Sequence, residues 1–271
     1  MLIDTHCHIH DRSVYNFALS HQQLSRKLLQ KYPNLPHLPA DFLPEKIVAR
    51  AHSNDIQKMI CIGTSHEDSL VAQKFAMTHQ ADGIFWAYGI HPDEADNITD
   101  FVRHVDLANL PPVAIGEIGL DYRSGEGNRQ RQLTLFEHML QLANDENLPV
   151  ILHVREAYDD FFAVINNFPA LRGVVHSFSD SPKNLKKALN HNFYIGVNGL
   201  VTFAQEIPLP PLEKMLLETD APFLTPSPFR GTINEPAHIK DVCAYISNIN
   251  RKDEAQVAKV TTENAERLFK I

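Results

Sequence analysis

The sequence predicts an α/β fold, a (β/α)8 TIM barrel with a metal site at the C-terminal mouth of its strands. Three observations carry this prediction. Eight short apolar runs alternate with helix-type stretches along the chain. The runs are apolar nearly throughout, as in Val-Ile-Leu at 150–152 and Met-Leu-Leu at 215–217, which fits parallel strands covered on both faces better than an alternating pattern would. Residues with metal-ligand chemistry recur where five of the runs stop, and in a barrel such positions converge on one pocket.

The first run, Leu2–His8, carries His6 and His8 at alternate positions, so both face one cavity while Cys7 faces away. Segment 11–44 is the least periodic region; it mixes His, Gln and Leu-Leu before Pro33-Asn-Leu-Pro-His-Leu-Pro39 and Pro44. It reads as an inserted helix plus loop overhanging the mouth, because it follows the first strand; the duller alternative is packing filler. On the first reading the core does not depend on it. The remaining strands are expected at Lys58–Gly63, Ile84–Gly89, Val113–Glu117, Val150–Val154, Gly173–His176, Tyr194–Asn198 and Met215–Thr219. Helices are expected near 45–55, 66–79, 97–107, 129–146, 156–168, 182–191, 235–249 and 253–269.

With 271 residues and 44% hydrophobic content, the chain can bury one large core, and residues 1–271 are read as a single metal-dependent hydrolase barrel domain. The start of the chain lacks a basic segment followed by a long apolar run, and no apolar stretch reaches about 18 residues, so the expectation is a cytoplasmic protein with no membrane partner. Cys7, Cys61 and Cys243 lie far apart and form no disulfide framework, which leaves buried free thiols. A net charge of -8 argues against wide gripping of duplex nucleic acid, while a local cationic pocket or bound metal could still accept one phosphodiester.

The strand-end constellation comprises His6 and His8 on the first strand, Glu117 on the fourth, His153 on the fifth, His176 on the sixth and Asp220 after the eighth. Four imidazoles and two carboxylates exceed what one tetrahedral metal needs; they suit two divalent ions, Zn, Mn or Mg, bridged by a carboxylate and a water. A histidine that merely caps its strand is the bland reading of each residue alone, but six aligned strand-end residues speak against it.

Eight sequence words, in order, carry a family resemblance across almost the whole chain. They are Asp4-Thr-His-Cys-His8, Gly89-Ile-His-Pro92, Gly116-Glu-Ile-Gly-Leu-Asp-Tyr122, Pro149-Val-Ile-Leu-His153 with Arg155, His176-Ser-Phe-Ser179, Gly196-Val-Asn-Gly199, Leu217-Glu-Thr-Asp-Ala-Pro222, and Arg230-Gly with Asn234-Glu-Pro236. The chain resembles the TatD-type metal-dependent deoxyribonucleases of the amidohydrolase superfamily. The resemblance implies that His6, His8 and Asp220 hold one metal, His153 and His176 the other, and that Glu117 bridges them. It also implies phosphodiester hydrolysis on DNA ends, while related members act on aminoacyl-transfer RNA. Three departures touch the mouth: segment 11–44 is longer than usual, Asp180 stands where the family has glycine, and the loop at 202–208 is shortened.

The chemistry expected is attack of a metal-bridging hydroxide on phosphorus, with Asp220 and Glu117 as the catalytic carboxylates and Asp220 accepting the water's proton. His91, Arg155 and Arg230 are candidates for holding phosphate oxygens, the competing reading of the arginines being structural ion pairs. Glu218 is a candidate to reach a further metal or orient a ligand, although on a strand it would point away unless the strand has ended; Asp121 and Tyr122 follow Glu117 closely enough to be site candidates, although Asp121 could equally cap a helix. The substrate expected is nucleic acid, single-stranded DNA first. Two alternatives differ in class: a carboxyl ester or amide hydrolase such as a D-aminoacyl-tRNA deacylase, and a non-catalytic metal-bound scaffold.

Overall fold

The architecture is taken from a computed structural model that describes residues 1–22, 26–97, 110–123, 128–204 and 206–271. Eight parallel strands follow one another in a single sheet ordered as in the sequence: β1 Leu2–Cys7, β2 Ile56–Ile62, β3 Ile84–Tyr88, β4 Ala114–Asp121, β5 Val150–Arg155, β6 Gly173–Val175, β7 Tyr194–Val197 and β8 Met215–Leu217. The TIM barrel expected from the apolar runs is what forms. It closes at the mouth, where Asp220 N donates to His6 O and His8 N to Ala221 O, both at 2.9 Å, and Cys7 bridges Ala221 in parallel register. Two residues expected to carry metals are therefore stitched together through their backbones.

The helices are α1 Arg12–His21, α2 Arg26–Lys31, α3 Pro44–His52, α4 His66–Thr78, α5 Arg129–Asp145, α6 Tyr158–Ile165, α7 Pro182–Asn190, α8 Ile239–Asn250 and α9 Glu254–Phe269. The helix expected at 97–107 falls, apart from Asn97, outside the described residues. Starts follow local chemistry: Asp11, Ser65, Ser181 and Asp253 cap α1, α4, α7 and α9 with side-chain oxygens that accept backbone N–H groups of the first turn.

Parity along the strands sorts the core into two layers. Ile3, Ile60, Ile62, Ala114, Ile151 and Leu216 fill the barrel interior and pack with Ala265, Leu268 and Phe269 of α9. Residues facing the other way, such as Cys61, Ile118, Leu152 and Leu217, pack in the larger cluster with the surrounding helices, the alternation of β4 being reset by an irregularity between Ile115 and Ile118. The apolar interior layer is the floor on which the polar strand ends stand. Cys7, Cys61 and Cys243 are buried free thiols, as expected. No helix among the described residues is long and apolar enough to cross a membrane.

Segment 11–44 forms α1 and α2 rather than one helix. It borders the mouth, with Val14 lining the central cavity, but it also packs into the core. Tyr15 and Phe42 are buried with ring centroids 5.9 Å apart, and the Tyr15 hydroxyl donates to Asn234 O at 3.4 Å. The expectation that the core does not depend on this segment is corrected accordingly: two aromatic rings from it are sealed beneath the mouth.

Candidate metal centre at the barrel mouth

A cavity of about 710 Å³ opens at the C-terminal ends of the strands and is lined by His8, His91, Glu117, His153, Arg155, His176 and Asp220. His6 lies at its base, fully buried. An irregularity of β4 between Ile115 and Ile118 interrupts its alternation and brings Glu117 to the centre. Its Oε1 accepts from His153 Nδ1 at 2.7 Å and from His176 Nε2 at 2.8 Å, while Oε2 lies 3.4 Å from His6 Nε2. Asp220 Oδ1 is 3.6 Å from both His6 Nε2 and His8 Nε2. The six strand-end residues converge, with the two Glu117 oxygens facing different imidazoles.

How Asp220 gets there is a matter of backbone conformation. The strand has ended at Leu217, and Asp220 adopts φ 57°, the left-handed region that Asp tolerates better than most residues. Asp4 fixes this turn from the neighbouring strand: its Oδ1 accepts from Thr219 N at 2.9 Å and from His6 N at 3.2 Å, and its Oδ2 accepts from Thr219 Oγ1. Burial pushes the Asp4 carboxyl up to about 8 against the lowering effect of those hydrogen bonds.

Other side chains brace the imidazoles. His8 Nδ1 donates to Ile62 O at 3.1 Å, which leaves Nε2 toward Asp220. His153 uses its second nitrogen on Asp121 Oδ2 at 3.1 Å, and His176 Nδ1 lies 3.5 Å from Glu218 Oε1. A carboxylate behind the far ring nitrogen fixes tautomer and ring plane, as is usual for metal-ligating histidines. Two residues that the sequence left open are thereby placed. Glu218 turns inward, since it shares the parity of Leu216 and Asp220 and the strand has already ended; it is buried and accepts from Ser177 N at 2.6 Å and Asn198 Nδ2 at 3.2 Å. Asp121 caps no helix but sits on β4 against His153 and accepts from Arg123 N. Asp4 and Asn198 escaped the sequence reading as individual residues.

The electrostatics favour cations. Burial opposes ionisation of Glu117, yet the imidazoles of His176, His153 and His6 together hold its carboxyl well below the usual range. Burial likewise disfavours charge on His153, but Asp121 and Glu117 outweigh it and raise the imidazole to about 9. His176 is raised well above its ordinary value despite burial, through Glu117 and Glu218. His6 goes the other way: burial and the stacked His176 ring, 4.0 Å between centroids, lower it.

The residues present fit divalent metal. Both His6 nitrogens, His176 Nδ1 and Glu218 Oε2 are buried without a hydrogen-bond partner. Three overlapping groups, His6/His8/Glu117, His6/His176/Glu218 and His91/Glu117/His153, each offer ligand atoms within 4.8 Å of one another. His91 Nε2 stands 3.9 Å from Glu117 Oε1. Arg155 lines the same cavity from the exposed end of β5. Arg230 does not; it stands in an adjoining groove, with its guanidinium 3.4 Å over the Phe203 ring. Among the described residues neither arginine is ion-paired with a carboxylate.

Comparison with known proteins agrees with this geometry. The sequence profile of the TatD related DNase family matches residues 3–270. The uncharacterized metal-dependent hydrolase YabD of Bacillus subtilis is 33% identical over 242 residues, covering 84% of this chain and 92% of that protein. The 3'-5' ssDNA/RNA exonuclease TatD of Citrobacter rodentium is 33% identical over 244 residues, again 84% and 92%. The crystal structure of YjjV, a TatD homologue from Escherichia coli, superposes with a TM-score of 0.78 at 27% identity, covering 100% of this chain and 98% of that one. A strand-end cluster built for divalent metal, on this barrel and with these relatives, makes the chain a member of the TatD-related DNase family.

Proposed function

We propose that the chain is a metal-dependent phosphodiesterase, a deoxyribonuclease acting on single-stranded DNA or DNA ends. The observation that carries this is the two-sided Glu117 carboxylate, with one oxygen toward His153 and His176 and the other toward His6. His6, His8 and Asp220 would hold one divalent ion, His153 and His176 a second, with Glu117 shared. Such a pair supplies, when bound, an activated water and neutralisation of charge on a phosphoryl group.

The protein's own groups do the rest. Asp220, reachable from the cavity, takes up the proton released by the attacking water, and its contacts to His6 and His8 keep it ionised against burial. Asp121 holds the His153 ring in plane through its hydrogen bond to Nε2, and Glu218 stands behind His176 as a counter-charge. His91 and Arg155 face the cavity as donors for non-bridging phosphate oxygens, and among the described residues no carboxylate pairs with the Arg155 guanidinium. The exonuclease name of the Citrobacter rodentium relative supports the substrate class.

The test is a panel of labelled single-stranded DNA, duplex DNA, RNA and aminoacyl-tRNA assayed with Mg, Mn and Zn. Single-stranded DNA should be cut, duplex less so, and chelation should abolish cleavage. Hydrolysis of aminoacyl esters with every phosphodiester left intact would replace this reading by the carboxyl-ester one.

A further inference from the structure

Beside the central cavity runs a second groove of about 610 Å³, within the range of ligand pockets. The two are continuous: Leu200, Phe223 and Leu224 line both. Helix α1 contributes Phe17 and His21, whose rings lie 4.3 Å apart, and Phe203 and Arg230 also line the groove. Phe17 is 58% exposed and Phe223 39%, so two large apolar faces are offered to solvent along one channel. The Arg230 guanidinium lies 3.4 Å over the Phe203 ring, and among the described residues it has no carboxylate partner and no Asp or Glu lines the groove.

We propose that this groove seats the base and phosphate of the nucleotide next to the one at the centre, so that a single strand is gripped at two consecutive positions. The inference rests on the phosphodiester reading above and deepens it. An aromatic face accepts any base by stacking, and a guanidinium edge accepts phosphate oxygens bidentately. Charge selects the same occupant: on a chain of net charge -8, a groove free of carboxylates and carrying an unpaired arginine is a local refuge for an anion. Continuity supplies the path, because a strand with one phosphate beside Glu117 and Asp220 leaves the cavity past Phe223 and Leu224. A duplex keeps its base faces stacked and has none to offer Phe17 or Phe223, so the groove gives the single-strand preference that the metal centre alone does not.

The experiment measures anisotropy of a labelled, hydrolysis-resistant phosphorothioate strand on the metal-loaded protein. Strands carrying a base or an abasic residue at each position next to the terminal nucleotide are compared, on the parent and on Phe17→Ala and Arg230→Gln. Removing that base from the strand should weaken binding by the parent about tenfold, the scale of one lost stack. Phe17→Ala should weaken binding of the base-bearing strand by a similar factor and of the abasic strand hardly at all. Arg230→Gln should weaken both strands and flatten the salt dependence. Melting temperatures near the parent's establish that both variants are folded. If the strand binds the parent but neither base removal nor Phe17→Ala changes its affinity, the groove assignment is overturned while the phosphodiester reading stands. If no polynucleotide binds or is cleaved, both fall.

Discussion

Gly196 on β7 offers a test of the centre that touches no proposed ligand. A Cβ built there meets Glu218 Oε2 at 2.3 Å, Cδ at 2.7 Å and Oε1 at 2.9 Å, so Gly196→Ala forces the carboxylate back by about 1 Å to regain ordinary contact. The carboxylate has little freedom to yield. It is buried, and Oε1 is tied to Ser177 N at 2.6 Å and Asn198 Nδ2 at 3.2 Å. Loss of one hydrogen bond to a charged acceptor is worth about 1.5–3 kcal/mol and overpacking adds about 1–3, which together predict about 4 kcal/mol and a melting temperature lower by about 10 °C. The same displacement takes Glu218 from His176 Nδ1, 3.5 Å away, so metal affinity should fall by roughly 10–100-fold. Thermal melting and zinc titration by competition with a chelating dye read the two effects. The double variant Gly196→Ala/Glu218→Asp, whose shorter acid vacates the space, should recover part of the stability, a coupling measurable as a double-mutant cycle. Gly196→Ala melting within about 2 °C of the parent with unchanged zinc affinity would refute the placement of Glu218 behind His176.

Asp220→Asn should retain the fold and the His153/His176 ion while turnover drops roughly 10²-fold or more, whereas Glu117→Gln should lower occupancy at both positions; elemental analysis alongside cleavage rates distinguishes them, and near-normal turnover by Asp220→Asn at saturating metal would remove its proton-transfer role. Arg50→Leu strands the buried Glu235 carboxylate, which Arg50 grips through Nε at 2.8 Å and Nη2 at 2.5 Å, and should destabilise by about 2–4 kcal/mol in urea unfolding, the partial exposure of Arg50 keeping the loss below that of a fully buried pair. Phe42→Ala should cost about 3–5 kcal/mol by the same assay; a loss under about 1 kcal/mol would return segment 11–44 to the status of a surface insertion.

The strands were legible because parallel strands sealed on both faces need apolar residues at consecutive positions, and runs such as Val150-Ile-Leu152 have no competing helical period. The longest miss was β4, expected to stop at Glu117 but continuing to Asp121. Gly116, Gly119 and Asp121 carry turn chemistry when read alone, yet a Cβ at Gly119 would lie 1.9 Å from His153 O; the glycine is there to let β5 approach. Of the site, the residues at strand ends could be read because topology alone brings such ends together. Asp4 and Glu218 were harder: what defines them is a partner across the barrel, Thr219 for one and Ser177 for the other, and no local period encodes that pairing. For Arg230 the motif left open which cavity it serves, since the loop that carries it lays the side chain over Phe203 in the adjoining groove.

The seam that closes the barrel ties His6 to Asp220 and His8 to Ala221, and so joins the two ends of the polypeptide at one half of the centre. Glu117, His153 and His176 come from the middle of the chain and need only β4, β5 and β6 in place, whereas the half built on His6, His8 and Asp220 exists only after β8 has docked on β1. In the proposed centre an ion bound across the seam would favour the closed barrel over any opened form by its differential affinity, so that metal binding would also latch the barrel shut.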